Sequence, residues 1–158
     1  MMTHTVSRLA LSATLALAGL SLVKGQSGAG RLMAQKIVAE LKAAHPEITS
    51  LELSAARSEH EVCKTIAATE AKEIGQKCDN DELTAIRTNR PFVEQEKDEF
   101  DATLPIHDAA GKIIGTVGMD FKASPGQTKE RVTQQAKQIV AELEKRIPSR
   151  AELFAPAK

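Results

Sequence analysis

Apolar residues recur at three- and four-residue spacing near both ends of the chain and alternate with polar ones between. In residues 31–44, Leu32, Met33, Ile37, Val38 and Leu41 share a face that Lys36, Glu40 and Lys42 avoid. That spacing predicts an amphipathic helix, stopped where Pro46 forces His45 out of helical geometry. A second helix is predicted over 129–146, with Val132, Ala136, Ile139, Val140 and Leu143 on one face, Thr128 as cap and Pro148 as stop. Period-two patterning predicts strands over 48–57, 61–69, 92–96, 99–107 and 112–121. The last two flank Asp108-Ala109-Ala110-Gly111, where Asp bonds backbone downstream and Gly supplies a positive φ, so they form a hairpin with a bulged turn. Residues 70–89 connect the first strand pair to the rest, bending at Ile74-Gly75 and forming about two turns of helix over 81–86 behind Asp79 or Asn80.

The hairpin's pattern sets the layers. With a bulged turn, His107 is expected opposite Ile113, Ile106 opposite Ile114 and Leu104 opposite Thr116. One face then holds Phe100, Ala102, Leu104, Ile106, Ile114, Thr116 and Asp120; the other holds Thr103, His107, Ile113, Val117 and Met119. Both faces carry apolar residues, so both must be covered. Two long helices on one side and segment 70–89 on the other satisfy this, which makes the fold α+β with an antiparallel sheet of about five strands. The helices share the pentapeptide IVAEL, at 37–41 and 139–143, as expected of two neighbours on one apolar surface.

Composition narrows the function. Lys+Arg and Asp+Glu are equal at 21 each, and Trp and Tyr are absent, which argues against a nucleic-acid partner. Residues 9–23 are an uncharged apolar run behind His4 and Arg8, shorter than the roughly 20 residues a membrane span needs. The expectation is a signal peptide over 1–25 cleaved near Gly25, with an uncleaved anchor as alternative, and a periplasmic or secreted product. One domain over 26–148 and a tail over 149–158 follow; the tail either docks through Leu153 and Phe154 or trails. The two cysteines, Cys63 and Cys78, are expected to pair in an exported protein; two buried thiols, or ligands for metal or haem, are the alternatives.

Leu104-Pro105-Ile106-His107-Asp108, followed by Gly111-Lys112-Ile113-Ile114-Gly115-Thr116-Val117-Gly118-Met119-Asp120, resembles the closing hairpin of the extracellular PAS-like sensors called Cache domains. Ala67-Ala68-Thr69-Glu70-Ala71-Lys72-Glu73-Ile74-Gly75 resembles the segment these domains place before their pocket helix, and the element order over 31–146 is similar. The resemblance implies a PAS-like sheet with the N- and C-terminal helices on one face. It also implies a sensor of small metabolites such as carboxylates or amino acids. Such domains usually sit between two membrane helices, and no second membrane helix or signalling domain follows residue 146 here. The expectation is thus a free-standing sensor that binds a small polar metabolite and signals through a membrane receptor or other protein.

Catalytic patterns are absent: no G-x-S-x-G, P-loop or G-x-G-x-x-G occurs, and the expectation is a non-enzyme without cofactor. Glu59-His60-Glu61 reads as a solvated turn rather than a metal site, and Glu94, Glu96, Asp98 and Glu99 as a solvated strand end. For an anionic ligand, Arg57, Arg87 and Arg90 are the candidate cations. His107 is a candidate contact, and Asp120 would receive an ammonium group, as the matching acidic residue does in some amino-acid-binding relatives. Two other classes stay open: a ligand-free module forming a homodimer through its helices, and a cofactor-binding redox protein.

Overall fold

Residues 31–158 are described by a computed structural model, so the expected signal peptide lies outside the described residues. The order is α1 (Met33–Ala44), β1 (Ile48–Ala55), β2 (Lys64–Ala68), a 3₁₀ turn (Ala71–Glu73), α2 (Asn80–Thr88), β3 (Phe92–Glu96), β4 (Glu99–His107), β5 (Ile113–Lys122), α3 (Lys129–Glu144) and α4 (Arg150–Leu153). The five strands form one antiparallel sheet in the order β2-β1-β5-β4-β3, so the hairpin's second strand is central.

The turn forms as its residues dictate. Asp108 accepts at Oδ1 from the amides of Ala110 and Lys112, both at 2.9 Å, and Gly111 adopts φ +77°. The pairing beyond it corrects the expected register. His107 does face Ile113, but the ladder then shifts: Ile106 faces Gly115, Leu104 faces Val117 and Asp101 faces Asp120. Ile114 is the extra residue of this bulge, and one inserted residue flips every later side chain of β5 to the other face. Val117, Met119 and Phe121 therefore join Phe100, Ala102 and Leu104 in the core, while Thr116 and Asp120 point to the opposite side.

That core is closed by the two long helices. From α1, Ala34, Ile37, Val38 and Leu41 are buried, and from α3, Val132, Ala136, Ile139, Val140 and Leu143. The helix α1 lies on β1 and β2 and α3 on β4 and β3, adjacent as the shared pentapeptide suggested. Their apolar faces are spent on the sheet, and outside it they meet through His45 Nε2, at the cap of α1, 3.0 Å from Glu142 Oε2, and through Arg146 Nη1, just past α3, donating to Glu40 Oε2 at 3.0 Å. On the opposite side α2 and segment 69–79 cover the sheet. Residues 149–158 dock: Leu153 is fully buried, Phe154 lies 4.6 Å from the Arg57 guanidinium, and the amides of Met33 and Ala157 bond Ala155 O and Arg31 O.

Candidate functional site

The register shift that sends Asp120 away from the core builds a cavity of about 310 Å³ on the sheet's second face. Its floor is two cross-strand rows: Glu52, Gly118 and Thr103 across β1, β5 and β4, then Ser50, Asp120 and Asp101. Rows two residues apart lie about 7 Å apart along the strands. The segment after β2 adds Glu70, Lys72 and Glu73 as one wall, and the start of α2 adds Asp79 and Glu82 as another.

Local sequence holds each wall. Asp79 caps α2 by accepting at Oδ1 from the amides of Asp81 (2.9 Å) and Glu82 (3.0 Å), and Glu82 Oε2 accepts from the Asp79 amide at 3.0 Å. This reciprocal box fixes the first turn of the helix. The other oxygen of Glu82 accepts from Thr116 Oγ1 at 3.2 Å, so a buried carboxylate pins α2 to β5. Cys63 and Cys78 form a disulfide that closes the loop carrying the first wall and ends it at the start of the second, and across it the Cys78 amide donates to Cys63 O at 3.1 Å.

Seven carboxylates and one lysine line this cavity: Glu52, Glu70, Glu73, Asp79, Glu82, Asp101 and Asp120 against Lys72. Burial, and secondly the charges of Glu82, Glu73, Asp79 and Asp120, raise the Glu52 carboxyl to about 7. Burial raises Asp101 to about 6, with Asp120 as the first like charge adding to it, and raises Asp120 to about 6, with Glu99 and Glu96 adding. Such a site holds negative charge at a cost, and a bound cation would relieve it. Among the described residues no three His, Cys, Asp or Glu side chains converge as a metal-ligand set.

Of the residues singled out in the sequence, Asp120 lies in this cavity, though not on the apolar face expected for it. The others stand elsewhere. The exposed Arg57 stacks on Phe154, Arg87 bonds Thr84 on its own helix, and Arg90 is exposed past the end of α2. His107, at the far end of β4, bonds Glu144 and Asn89 at 2.8 Å each. The sequence reading missed Glu52, Asp79, Glu82 and Asp101. The signal for Asp79 and Glu82 was the D-x-x-E spacing of a capping box; Glu52 and Asp101 needed the register.

No family model matches the chain, and no curated protein does. Solved structures do. The chain is similar to a protein described as a GAF sensor from Burkholderia vietnamiensis, at 12% identity and a TM-score of 0.54 over 72% of this chain and 74% of that one. It also matches a type II free methionine-R-sulfoxide reductase from Thermoplasma acidophilum, at 19% identity and a TM-score of 0.45 over 77% and 92%. A third match is the periplasmic domain of RsbU from Chlamydia trachomatis, at 11% identity and a TM-score of 0.42 over 61% and 37%. The fold is an α+β fold of the GAF-like or PAS-like kind, without the narrower Cache assignment. The expectation that the chain is not an enzyme does not stand, because a reductase is among the proteins of matching structure.

Proposed function

We propose that this chain is an exported sensor-type domain that binds a small polar metabolite through a protonated amine in the carboxylate-lined cavity, and that a separate protein reads its state. The cavity is the observation that carries the reading. It lies between the sheet, the segment that the Cache resemblance places before a pocket helix, and the helix α2 that follows that segment. Two unit charges 4 Å apart interact by about 4 kcal/mol at an effective dielectric of 20, so a dicarboxylate entering among seven carboxylates is repelled and an amine is drawn in. An amino-acid-like ligand fits best: its ammonium on Asp101 and Asp120, its carboxylate toward Lys72, the one cation of the lining. Arg57, Arg87, Arg90 and His107 have no part in this reading. The apolar run at 9–23 and the Cys63–Cys78 disulfide support export to an oxidising compartment, periplasmic or secreted.

The test is a thermal-shift and calorimetric panel at pH 7.5 with putrescine, lysine, 4-aminobutyrate and succinate. Amine-bearing compounds are expected to raise the melting temperature and succinate to leave it unchanged, with the shift lost in Asp120→Asn. A flat response across the panel, or stabilisation by succinate alone, overturns the reading.

A further inference from the structure

The helix α2 joins the cavity to a second hydrogen-bonded cluster at the other end of the domain. Its first turn carries Asp79 and Glu82, both cavity walls, tied to each other by the capping box and to β5 through Thr116. Its nine residues span about 13 Å. They end at Asn89, whose φ of 53° is the left-handed conformation that closes a helix. There His107 Nε2 lies 2.8 Å from Asn89 Oδ1. The opposite ring nitrogen, Nδ1, lies 2.8 Å from Glu144 Oε1, and the His107 backbone amide donates to the same oxygen at 2.8 Å. Glu144 is the last residue of α3.

We propose that Asn89, His107 and Glu144 form a relay by which occupancy of the cavity is read at the C-terminal end of α3, on the far face of the sheet. A ligand held by the first turn of α2 biases the position of a stiff rod. The only side-chain hydrogen bond of Asn89 among the described residues leads to a ring that also holds α3. His107 thus acts as a positioning residue between two helices that lie on opposite faces and share no other side-chain hydrogen bond among the described residues. The biological meaning rests on the cavity being a ligand site; the mechanical coupling does not, and it is testable without ligand.

Hydrogen exchange separates the two. In the ligand-free protein, Glu82→Gln perturbs the cavity end of α2, and exchange of amides 142–147 is expected to accelerate about fivefold, the lower range of measured couplings. Exchange in α1 is expected to stay unchanged. Asn89→Gly keeps the left-handed cap, which Gly adopts freely, while removing the bond to His107; in that background Glu82→Gln is expected to leave 142–147 at the Asn89→Gly rate. Thr116→Val removes the same α2 anchor from the strand side and stands in if Glu82→Gln speeds exchange everywhere. The relay is overturned if the anchor variants leave 142–147 unmoved, or move it equally with Asn89→Gly present. With putrescine as probe, protection at 142–147 is expected in the unmodified protein and not in Asn89→Gly. If putrescine fails to bind while the ligand-free coupling holds, the relay stands and the ligand reading falls.

Discussion

Asp101 and Asp120 stand directly opposite each other on β4 and β5, two carboxyls on one face of the sheet, and each is raised to about 6. In the unfolded chain an Asp carboxyl titrates near 4. The folded state therefore binds these protons more tightly, and stability is greatest below the unfolded value and falls as pH rises through about 6. The melting temperature is expected to be higher at pH 5 than at pH 8. Asp120→Asn removes one of the two charges; at pH 8 it is expected to stabilise by about 1 kcal/mol, discounted because the cavity opens to solvent. At pH 4 the gain should vanish. Urea titrations of both proteins at the two pH values decide it, and an Asp120→Asn protein weakened equally at both would count against the charge account.

Glu52 extends the same argument to binding. Its carboxyl, raised to about 7, is mostly protonated at pH 6 and mostly ionised at pH 8. A cationic ligand prefers the ionised form, so binding expels a proton. Affinity for putrescine is expected to rise about tenfold between pH 6 and pH 8. In Glu52→Gln the rise over that window should flatten, leaving only the contribution of Asp101 and Asp120 at its acid end. Calorimetry in two buffers of different ionisation enthalpy reads the proton release directly.

Two glycines of β5 should respond differently to a methyl group. A Cβ at Gly118 would meet Glu52 Cγ and Oε1 at 3.0 Å, the far part of a flexible side chain lining the cavity. Gly118→Ala is expected to cost less than about 1 kcal/mol of stability while weakening putrescine binding, since Glu52 must move into the space a ligand would use. At Gly115 the Cβ would collide with the backbone carbonyl of Ser54 on β1, which cannot give way. Gly115→Ala is expected to cost about 2–3 kcal/mol. Denaturation curves and binding isotherms of both variants check the contrast.

The sequence made the elements legible because their signals are local. Proline at 46 and 148, the turn at 108–111 and the 3.6-residue stripes each act within a few residues. The strands β3 and β4 begin and end where alternation placed them, and α2 extends to Asn80–Thr88 behind the Asp79 cap. What was not legible is non-local. The bulge at Ile114 is a compromise between turn and ladder, and its single extra residue decides whether Asp120 faces core or cavity. The same distance explains the arginines: Arg57 found Phe154, 97 residues on, through a C-terminal segment whose docking no period in the sequence announces. The acidic cavity gathers residues from five separate stretches, which only the folded sheet brings together.

The disulfide ties the covalent frame to this cavity. Cys63 and Cys78 are 15 residues apart in sequence with Cα atoms 5.4 Å apart, and the loop between them carries Glu70, Lys72 and Glu73, while Asp79 follows directly. Closing a loop of that size stabilises by about 3 kcal/mol in the chain-entropy account. The Cys63→Ser, Cys78→Ser double variant is expected to lose about that much in urea, because β2 is an edge strand of the sheet and the returning loop is held to it by little more than the Lys64–Lys77 bridge and the bonds of Thr65 to Gly75 and Gln76. The loop is also half a wall of the cavity, so putrescine should bind the variant more weakly even where it is fully folded, with the loss confined to affinity and the heat capacity of binding unchanged. Thiol titration of the unreduced, denatured protein should find no free thiol. Two free thiols, or a double variant that binds as tightly as the parent, would separate the wall from its staple.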